Sequence, residues 1–325
     1  MHPRAGVRAG PGIRRSDAVD LTAIVVSHNS GAYLERCLTT LSQSVDDLIV
    51  VDNASTDGGD ELVRRSFPAA RLIELHRNAG FAAACNAGIH AASGRYVLVV
   101  NPDAWPVGAA VSTLTDWADR NPNVGMAGPT LVNEDGSPQR SVFGYPEGAL
   151  SLAAFAAVPA LVSGLYVGWR NLADWTRRPA DAARKEAQPL GKGMFLSGAV
   201  LLIRAEALEE VGGFDERFFL FSEETDLCFR MREAGWVLAH CPAAVFAHVG
   251  AASSPAGRDW RYAELLRSYL LLLAKRRGLR RAQRARRLLV GVLSARAALT
   301  PGGGRRQLRR AVARLRSSDL LSPMA

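Results

Sequence analysis

The chain has 325 residues, 48% of them hydrophobic, and a formal net charge of +9. This composition excludes an intrinsically disordered chain and is sufficient for one large core with an extension. The four cysteines form no CxxC pair, which argues against a structural zinc site or a disulfide framework and favours a reduced, cytoplasmic compartment.

The positive charge is concentrated at the C-terminal end of the chain. From Arg258 onward there are 18 Arg or Lys residues and 3 Asp or Glu residues, whereas residues 1–257 carry 22 and 28. Residues 1–20 contain charges, Gly and Pro but no apolar run, so we expect neither a signal peptide nor an anchor there. The sequence predicts a flexible tail over 1–20, a mildly acidic globular domain over 21–257 and a basic helical extension over 258–325.

Apolar runs alternate with helical patterns in the first hundred residues. Four short runs have the composition of buried strands: Leu21–Ser27, Leu48–Val51, Arg71–Leu75 and Tyr96–Val100. This alternation predicts a doubly wound, mostly parallel α/β sheet with right-handed crossovers. No GxGxxG follows the first run and no P-loop motif occurs, which removes most support for a dinucleotide-binding Rossmann domain or a P-loop ATPase.

Polar residues stand at the ends of these predicted strands, where an open α/β sheet binds its ligands. Asp103 follows the fourth run in the sequence Asn101-Pro102-Asp103 and is a candidate metal ligand. The alternative is a simple turn, since Asn, Pro and Asp all form turns. After the second run, the segment from Asp52 to Gly59 is rich in Asp, Asn and Gly and can hydrogen-bond a nucleoside.

A second group of acids lies in the segment Phe218–Arg232. Ser222 is in position to cap a helix there. The first turn of this helix would hold three acids: Glu223, Glu224 and Asp226. Because acids in a first turn are stabilised by the helix dipole, composition alone favours a purely structural explanation for this cluster.

Seven sequence blocks between Leu21 and Ser254 resemble glycosyltransferase family 2, and in particular its bacterial rhamnosyltransferase branch. They are, in chain order, VVSHNS, VVDNASTDGG, RNAGFAAACNAGI, VVNPDAWP, FLSGAVLLIRAEAL, GGFDERFFLFSEETDLCFRMREAGW and HVGAAS. The resemblance implies a GT-A fold with a Rossmann-like nucleotide-binding half and an inverting mechanism. It also implies a nucleotide diphosphate-sugar donor and a divalent cation, Mg²⁺ or Mn²⁺.

The same resemblance implies roles for individual residues near the donor. Asp52 would accept a hydrogen bond from the nucleotide base, and the other positions would line the donor pocket. The implied donor-binding residues are Ser27, Asn29, Asp52, Asn78, Gly80, Phe81, Asn86, Asn101 and Asp103. The alternative for each of them is a local role in a turn, a helix cap or packing.

Asp103 matches the last acid of the family's DxD motif, where the cation bridges the two phosphates. Asn101 replaces the first acid of that motif, as is common in the rhamnosyltransferase-like members, and leaves the metal one fewer anionic neighbour. His248 resembles the histidine that completes the metal shell in related enzymes. The alternative for His248 is a core histidine with satisfied hydrogen bonds.

Glu224 matches the general base of the family, with Glu223 beside it and Asp226 holding the surrounding network. Adjacent carboxylates raise one another's pKa, which helps a base to work near neutral pH. Ser197 and Gly198 are expected to frame the sugar and the acceptor, and a glycine there permits close approach of the backbone.

Two segments bear on membrane association. Gly148–Gly168 is apolar but is interrupted by Pro159, Ser163 and Gly164, so we expect an interfacial or buried helix and not a spanning one. The extension from Tyr262 alternates Leu and Val with Arg clusters, as a basic surface helix does. We therefore expect a peripheral location at the inner face of the plasma membrane, with Leu and Val inserted at the interface of an anionic leaflet.

Two classes of function remain at this point: a glycosyltransferase acting on a lipid-linked acceptor, or a nucleic-acid-binding protein that uses the Arg-rich extension. Acids cluster at strand and helix ends and no RNA- or DNA-reading module occurs, which favours the enzyme. The resemblance points to dTDP-L-rhamnose and to an acceptor such as N-acetylglucosaminyl-diphospho-polyprenol in cell-wall or polysaccharide assembly. Galactofuranose, glucose and N-acetylglucosamine are alternative donor sugars.

Overall fold

The computed structural model describes residues 20–145, 188–250 and 258–317. The predicted N-terminal tail up to residue 19 and the apolar segment 148–168 lie outside these ranges. The strands are, in chain order, β1 (Leu21–Ser27), β2 (Asp47–Asp52), β3 (Arg71–Glu74), β4 (Tyr96–Val100), β5 (Ala104–Val107), β6 (Val124–Val132), β7 (Pro138–Gln139), β8 (Val142–Gly144), β9 (Gln188–Pro189), β10 (Met194–Leu196), β11 (Val200–Arg204) and β12 (Val237–His248). The helices are α1 (Gly31–Leu41), α2 (Gly59–Ser66), α3 (Phe81–Ala91), α4 (Ala110–Arg120), α5 (Ala205–Val211), α6 (Glu223–Glu233), α7 (Arg258–Arg277), α8 (Leu279–Leu299) and α9 (Gly302–Arg316).

The first four strands form a parallel sheet in the order β3-β2-β1-β4. Val25 at the centre of β1 lies beside Val50 on one side and Val100 on the other. Because these strands are parallel, their carboxyl ends, with the polar residues that follow them, meet at one edge of the sheet. The predicted parallel half of the fold is confirmed.

Beyond β4 the sheet becomes mixed. Strand β11 returns antiparallel to both β4 and β6, so that Val200 lies opposite Val100. Strand β12 then runs parallel to β6 and antiparallel to β5. This arrangement brings the end of β12 next to the start of β5, which immediately follows the candidate metal-binding turn.

Alternation along β1 divides its side chains between two cores. Ala23 and Val25 belong to one apolar cluster, whereas Ile24 and Val26 belong to the other, because successive side chains of a strand point to opposite faces. Helices α1, α2 and α4 cover the first face, and α3, α5 and α6 cover the second. The sheet is therefore buried on both sides, as its continuous apolar runs predict.

The basic extension is helical as predicted, but its apolar side chains do not form a free surface. Leu289 and Leu293 of α8 and Leu308 and Leu315 of α9 are buried in a shared cluster with α7. The expectation that the Leu and Val residues insert into a membrane is wrong for these positions, because they form the core of a three-helix bundle. No helix within the described ranges is long and apolar enough to cross a bilayer.

Helix α7 fastens this bundle to the globular domain. Lys275 Nζ lies 2.7 Å from Asp215 Oδ2 and 2.8 Å from Asp226 Oδ1, and Ser268 Oγ donates to the carbonyl of Leu220 at 2.8 Å. Leu271 and Leu272 of α7 pack against Phe218. The extension thus contacts the segment that leads into the acidic helix α6.

Candidate active site

A pair of buried polar groups lies where β1 and β2 end. Ser27 and Asp52 are neighbours in the register of the two strands. Asp52 Oδ2 accepts a hydrogen bond from the amide of Ser55 at 3.1 Å, but Asp52 Oδ1 and Ser27 Oγ have no partner in the part of the chain that the structure describes. An unpaired buried acceptor costs about 1–3 kcal/mol. This site therefore fits a ligand that donates a hydrogen bond, such as a nucleotide base.

Asn29 stabilises the loops around this pair. Its backbone is left-handed, with φ 53°, and its Oδ1 accepts hydrogen bonds from the amide and hydroxyl of Thr56 at 2.8 and 3.2 Å. The side chain of Asn29 therefore holds together the loops that follow β1 and β2. This is a structural role of the kind that the sequence suggests as the alternative to donor binding.

Asn53 is a site residue that sequence reasoning missed. Its side-chain nitrogen donates to Asn78 Oδ1 at 3.1 Å and to the carbonyl of Gly80 at 3.2 Å, while its oxygen accepts from the amide of Ala79 at 2.8 Å. These bonds fix the loop before α3 against the end of β2. The residue lies directly after Asp52, and only the tertiary placement distinguishes it from its polar neighbours.

The start of α3 lies in close contact with the segment that precedes α6. Gly80 has φ 90°, and a Cβ atom at this position would lie 2.6 Å from the carbonyl oxygen of Phe219, to which the amide of Phe81 donates at 2.7 Å. Asn86 donates to the carbonyl of Phe214 and to Glu216 and accepts from the Phe214 amide. The close approach at Gly80 and the hydrogen bonds of Asn86 thus hold α3 against the segment that precedes the acidic helix α6.

The Asn101-Pro102-Asp103 segment forms a turn and also presents a carboxylate, so that the two explanations given by the sequence are compatible. The amide of Ala104 donates to the carbonyl of Asn101 at 3.0 Å. Asp103 is only 1% exposed, and neither of its carboxylate oxygens has a hydrogen-bond partner among residues 20–145, 188–250 and 258–317. Burying a carboxylate in this way is unfavourable unless a cation compensates it.

His248 lies next to this carboxylate although 145 positions separate the two residues. Strands β12 and β5 pair so that His248 is opposite Ala104, and His248 Nε2 is 3.5 Å from Asp103 Oδ1. Within the described ranges, no three His, Cys, Asp or Glu side chains gather in a way that could hold a metal ion. An imidazole and one carboxylate fit a divalent cation whose remaining ligands are water and phosphate oxygens, as is common for Mg²⁺.

The acidic helix α6 begins after two residues in left-handed conformation, Phe221 and Ser222, with φ 69° and 68°. The hydroxyl of Ser222 makes no capping hydrogen bond, so the predicted cap is wrong. A capping residue normally has extended backbone angles, which differ from those of Ser222.

The acids of α6 occupy different environments. Glu223 is buried, and its pKa is raised well above the usual range by desolvation and then by the charges of Glu224 and Glu264. Glu224 reaches solvent at one edge, but protein surrounds most of its carboxyl group and this desolvation raises its pKa. The pKa of Glu224 is thus raised, as expected, but the main cause is burial and not the adjacent charge. A carboxylate with a raised pKa suits general base chemistry near neutral pH.

Asp226 is fully buried and is held by ion pairs. Its carboxylate lies 2.7 Å from Arg230 Nε and 2.8 Å from Lys275 Nζ. Lys275 belongs to the basic extension, and nothing in its local sequence identifies it as a neighbour of the acids. Asp226 therefore fixes α6 to α7 through its ion pair with Lys275.

The loop between β10 and β11 lies between Glu224 and the turn that contains Asp103. A Cβ atom on Gly198 would lie 3.4 Å from Glu224 Cγ, so this glycine allows the backbone to approach the acid. The next residue, Ala199, accepts a hydrogen bond from the amide of Asn101 at 2.8 Å, and Ser197 is joined to Ser141 through its amide. The candidate metal-binding turn and the candidate base thus lie on either side of one short loop.

A family model described as glycosyl transferase family 2 matches residues 22–212, and one described as glycosyl transferase family group 2 matches residues 171–317. The chain belongs to glycosyl transferase family 2. This hexosyltransferase is 32% identical over 263 residues to N-acetylglucosaminyl-diphospho-decaprenol L-rhamnosyltransferase of Mycobacterium tuberculosis strain H37Rv, covering 74% of the chain and 78% of that relative. It is 29% identical over 250 residues to the pre-mycofactocin glycosyltransferase of the same strain, covering 76% of the chain and 45% of that relative.

Solved structures show the same fold at low identity. GalNAc-T7 with UDP, GalNAc and Mn²⁺ superposes with a TM-score of 0.55 at 12% identity, covering 79% of this chain and 48% of that one. The mannosyltransferase PcManGT from Pyrobaculum calidifontis, in complex with GDP-Man and Mn²⁺, gives a TM-score of 0.51 at 18% identity, covering 95% and 84%. The predicted GT-A fold, the family and the class of enzyme are thereby confirmed for this family 2 glycosyltransferase.

Proposed function

We propose that this enzyme is an inverting, metal-dependent rhamnosyltransferase. It moves L-rhamnose from dTDP-L-rhamnose to a lipid-linked glycan such as N-acetylglucosaminyl-diphospho-polyprenol, in cell-wall or polysaccharide assembly. The observation that carries the proposal is the 32% identity to N-acetylglucosaminyl-diphospho-decaprenol L-rhamnosyltransferase, which extends over 74% of the chain. Galactofuranose, glucose and N-acetylglucosamine remain the alternative donor sugars within the same family.

The geometry suggests how the residues divide the reaction. Glu224 accepts the proton of the acceptor hydroxyl as that oxygen attacks the anomeric carbon from the face opposite the diphosphate, which inverts the configuration. Ser27 and Asp52 hold the base of the nucleotide. Asp103 and His248 would hold Mg²⁺ or Mn²⁺, which when bound supplies positive charge for the departing diphosphate.

A panel of nucleotide sugars tests the choice of donor. The enzyme is incubated with each sugar, Mn²⁺ and a short-chain N-acetylglucosaminyl diphospholipid, and release of the nucleoside diphosphate is measured. We expect acceptor-dependent release to be highest with dTDP-L-rhamnose. Preference for another sugar would overturn the rhamnosyl assignment while leaving the transferase class intact, and activity with none of them would indicate a catalytically inactive relative.

The bundle also supports a peripheral location at an anionic membrane. Helices α8 and α9 contain no Asp or Glu, and Leu288 and Leu299 are exposed at 40% and 86%. The exposed basic residues of the two helices are Arg280, Arg281, Arg284, Arg287, Arg305, Arg306, Arg309, Arg310, Arg314 and Arg316. Basic side chains near an anionic leaflet contribute about 1 kcal/mol each, although only some of these arginines can face it at once.

Substituting exposed arginines tests the membrane surface and keeps the bundle intact. Deleting the chain beyond Gly278 is less informative, because it would uncover the apolar face of α7. We expect the triple change of Arg281, Arg284 and Arg287 to Gln to reduce sedimentation with anionic vesicles severalfold, and high salt to weaken binding of the natural protein by screening.

The matched control is the triple change of three exposed arginines of the globular domain to Gln: Arg65, Arg77 and Arg120. This variant should bind vesicles as the natural protein does. Equal loss in both variants would show that only net charge matters and would contradict a dedicated surface. Salt-sensitive binding to RNA without binding to vesicles would favour the nucleic-acid alternative.

A further inference from the structure

We infer that Gln139 positions His248 for metal binding, by fixing which ring nitrogen carries the proton. This inference rests on the proposed role of Asp103 and His248 as cation ligands. Gln139 stands on the short strand β7, after a hairpin from β6 in which the amide of Asn133 donates to the carbonyl of Ser137 at 2.8 Å. The hairpin places the Gln139 side chain against the end of β12.

The orientation of the Gln139 amide follows from one backbone contact. The carbonyl oxygen of His248 can only accept a hydrogen bond, so the amide atom 2.8 Å from it must be the nitrogen. The same nitrogen donates to Asn133 Oδ1 at 2.8 Å. Both amide hydrogens are thereby used, and the remaining atom, Oε1, can only accept.

Gln139 Oε1 lies 2.7 Å from His248 Nδ1. Because Oε1 is an acceptor, Nδ1 must carry a hydrogen, and in the neutral imidazole the lone pair is then on Nε2. Nε2 is the atom that lies 3.5 Å from Asp103 Oδ1, whose carboxylate has no hydrogen-bond partner within the described ranges. Two electron-rich groups that face each other in this way provide a fitting place for a cation between them.

The hydrogen bond to Nδ1 is the kind of contact that orients a metal-binding histidine. Its partner sets the tautomer and the ring plane, and loss of such a partner typically weakens metal affinity by about 10- to 100-fold. Gln139 serves this role here with a neutral amide, whereas many such histidines contact a carboxylate. It is therefore a positioning residue, and it acts only through His248.

Two substitutions separate this role from a structural one. Gln139→Met keeps the length of the side chain and removes the three hydrogen bonds of its amide group. Gln139→Glu still accepts from Nδ1 but can no longer donate to Asn133 or to the carbonyl of His248. If Gln139 only holds the hairpin, both substitutions should have the same effect. If it fixes the tautomer of His248, Gln139→Met should lose that effect and Gln139→Glu should keep it.

The first measurement is made without metal, on the full-length protein. Long-range ¹H–¹⁵N spectra of the histidine rings, with His248 assigned by its absence in His248→Ala, are recorded at a pH where the imidazole is neutral. We expect the Nδ1–H form in the natural protein and in Gln139→Glu, and a shift toward Nε2–H in Gln139→Met. An unchanged tautomer in Gln139→Met would overturn the inference.

The second measurement is Mn²⁺ affinity, determined by electron paramagnetic resonance with dTDP present. We expect binding to weaken by about 10- to 100-fold in Gln139→Met and by no more than a few-fold in Gln139→Glu. If His248→Ala weakens binding and Gln139→Met does not, the positioning role is wrong while the metal site stands. If His248→Ala and Asp103→Ala both leave Mn²⁺ affinity unchanged, the proposed metal site itself is wrong.

Discussion

Glu224→Gln should bind the nucleotide-sugar donor with unchanged affinity and lose sugar transfer by on the order of 10²-fold or more. The amide has the size of the carboxyl group but cannot accept the proton of the acceptor hydroxyl. A Cβ atom on Gly198 would lie 3.4 Å from Glu224 Cγ, so Glu224 has little spare room there and an isosteric change should disturb the surroundings little. Transfer is measured as acceptor-dependent release of nucleoside diphosphate, and donor binding by calorimetry.

The pH dependence gives this prediction a second readout. Desolvation raises the pKa of Glu224, and a base acts only when it is ionised. In the natural enzyme the rate should therefore fall as the pH drops through that raised pKa, and this limb should be absent from the residual activity of Glu224→Gln. If the rate of the variant fell over the same pH range, the titration would belong to another group and not to Glu224.

Glu223→Gln is the matched control. Burial and the charges of Glu224 and Glu264 raise the pKa of Glu223, which disfavours the ionised form, so a neutral amide should be well tolerated at this position. We expect transfer close to that of the natural enzyme. An inactive Glu223→Gln beside an active Glu224→Gln would move the base by one position.

The sequence was sufficient for the parallel half of the fold because each buried strand there is a continuous apolar run. The strands predicted at Leu21–Ser27 and Tyr96–Val100 match the structure, and the second strand is longer by one residue at each end. The antiparallel return of β11 and its pairing with β6 could not be predicted from these patterns. The apolar run at the start of β11, residues 200–203, has the same composition whichever direction it takes in the sheet.

The site was predictable where a residue follows a strand and unpredictable where distant segments meet. Asp52 and Asp103 follow apolar runs, which made them candidates from the sequence. Gln139 and Lys275 reach their partners across 109 and 49 positions, and no local pattern records such contacts. The membrane insertion of the buried leucines in the extension was predicted wrongly for a related reason, because Leu alternating with Arg is typical both of a membrane-surface helix and of a bundle helix whose leucines pack in its own core.

Asp103→Asn should abolish Mn²⁺-dependent donor binding and, at the same time, leave the metal-free protein as stable as before or more stable. The two effects have opposite signs because both depend on the same buried charge. Asp103 is buried with both carboxylate oxygens lacking a hydrogen-bond partner in the described segments, so its charge is unfavourable until a cation arrives. The amide removes the charge that opposes folding together with the ligand that the cation needs.

Thermal unfolding with and without Mn²⁺ and dTDP measures both parts. In the natural protein, ligands that bind only the folded state raise the melting temperature. In Asp103→Asn this increase should vanish, while the melting temperature without ligands stays the same or rises. His248→Ala is the comparison, since it removes the second ligand and leaves the buried carboxylate in place, so it should weaken the response without the gain in stability. A large loss of stability in metal-free Asp103→Asn would show that the carboxylate serves the fold, and an undiminished Mn²⁺ response would remove Asp103 from the metal site.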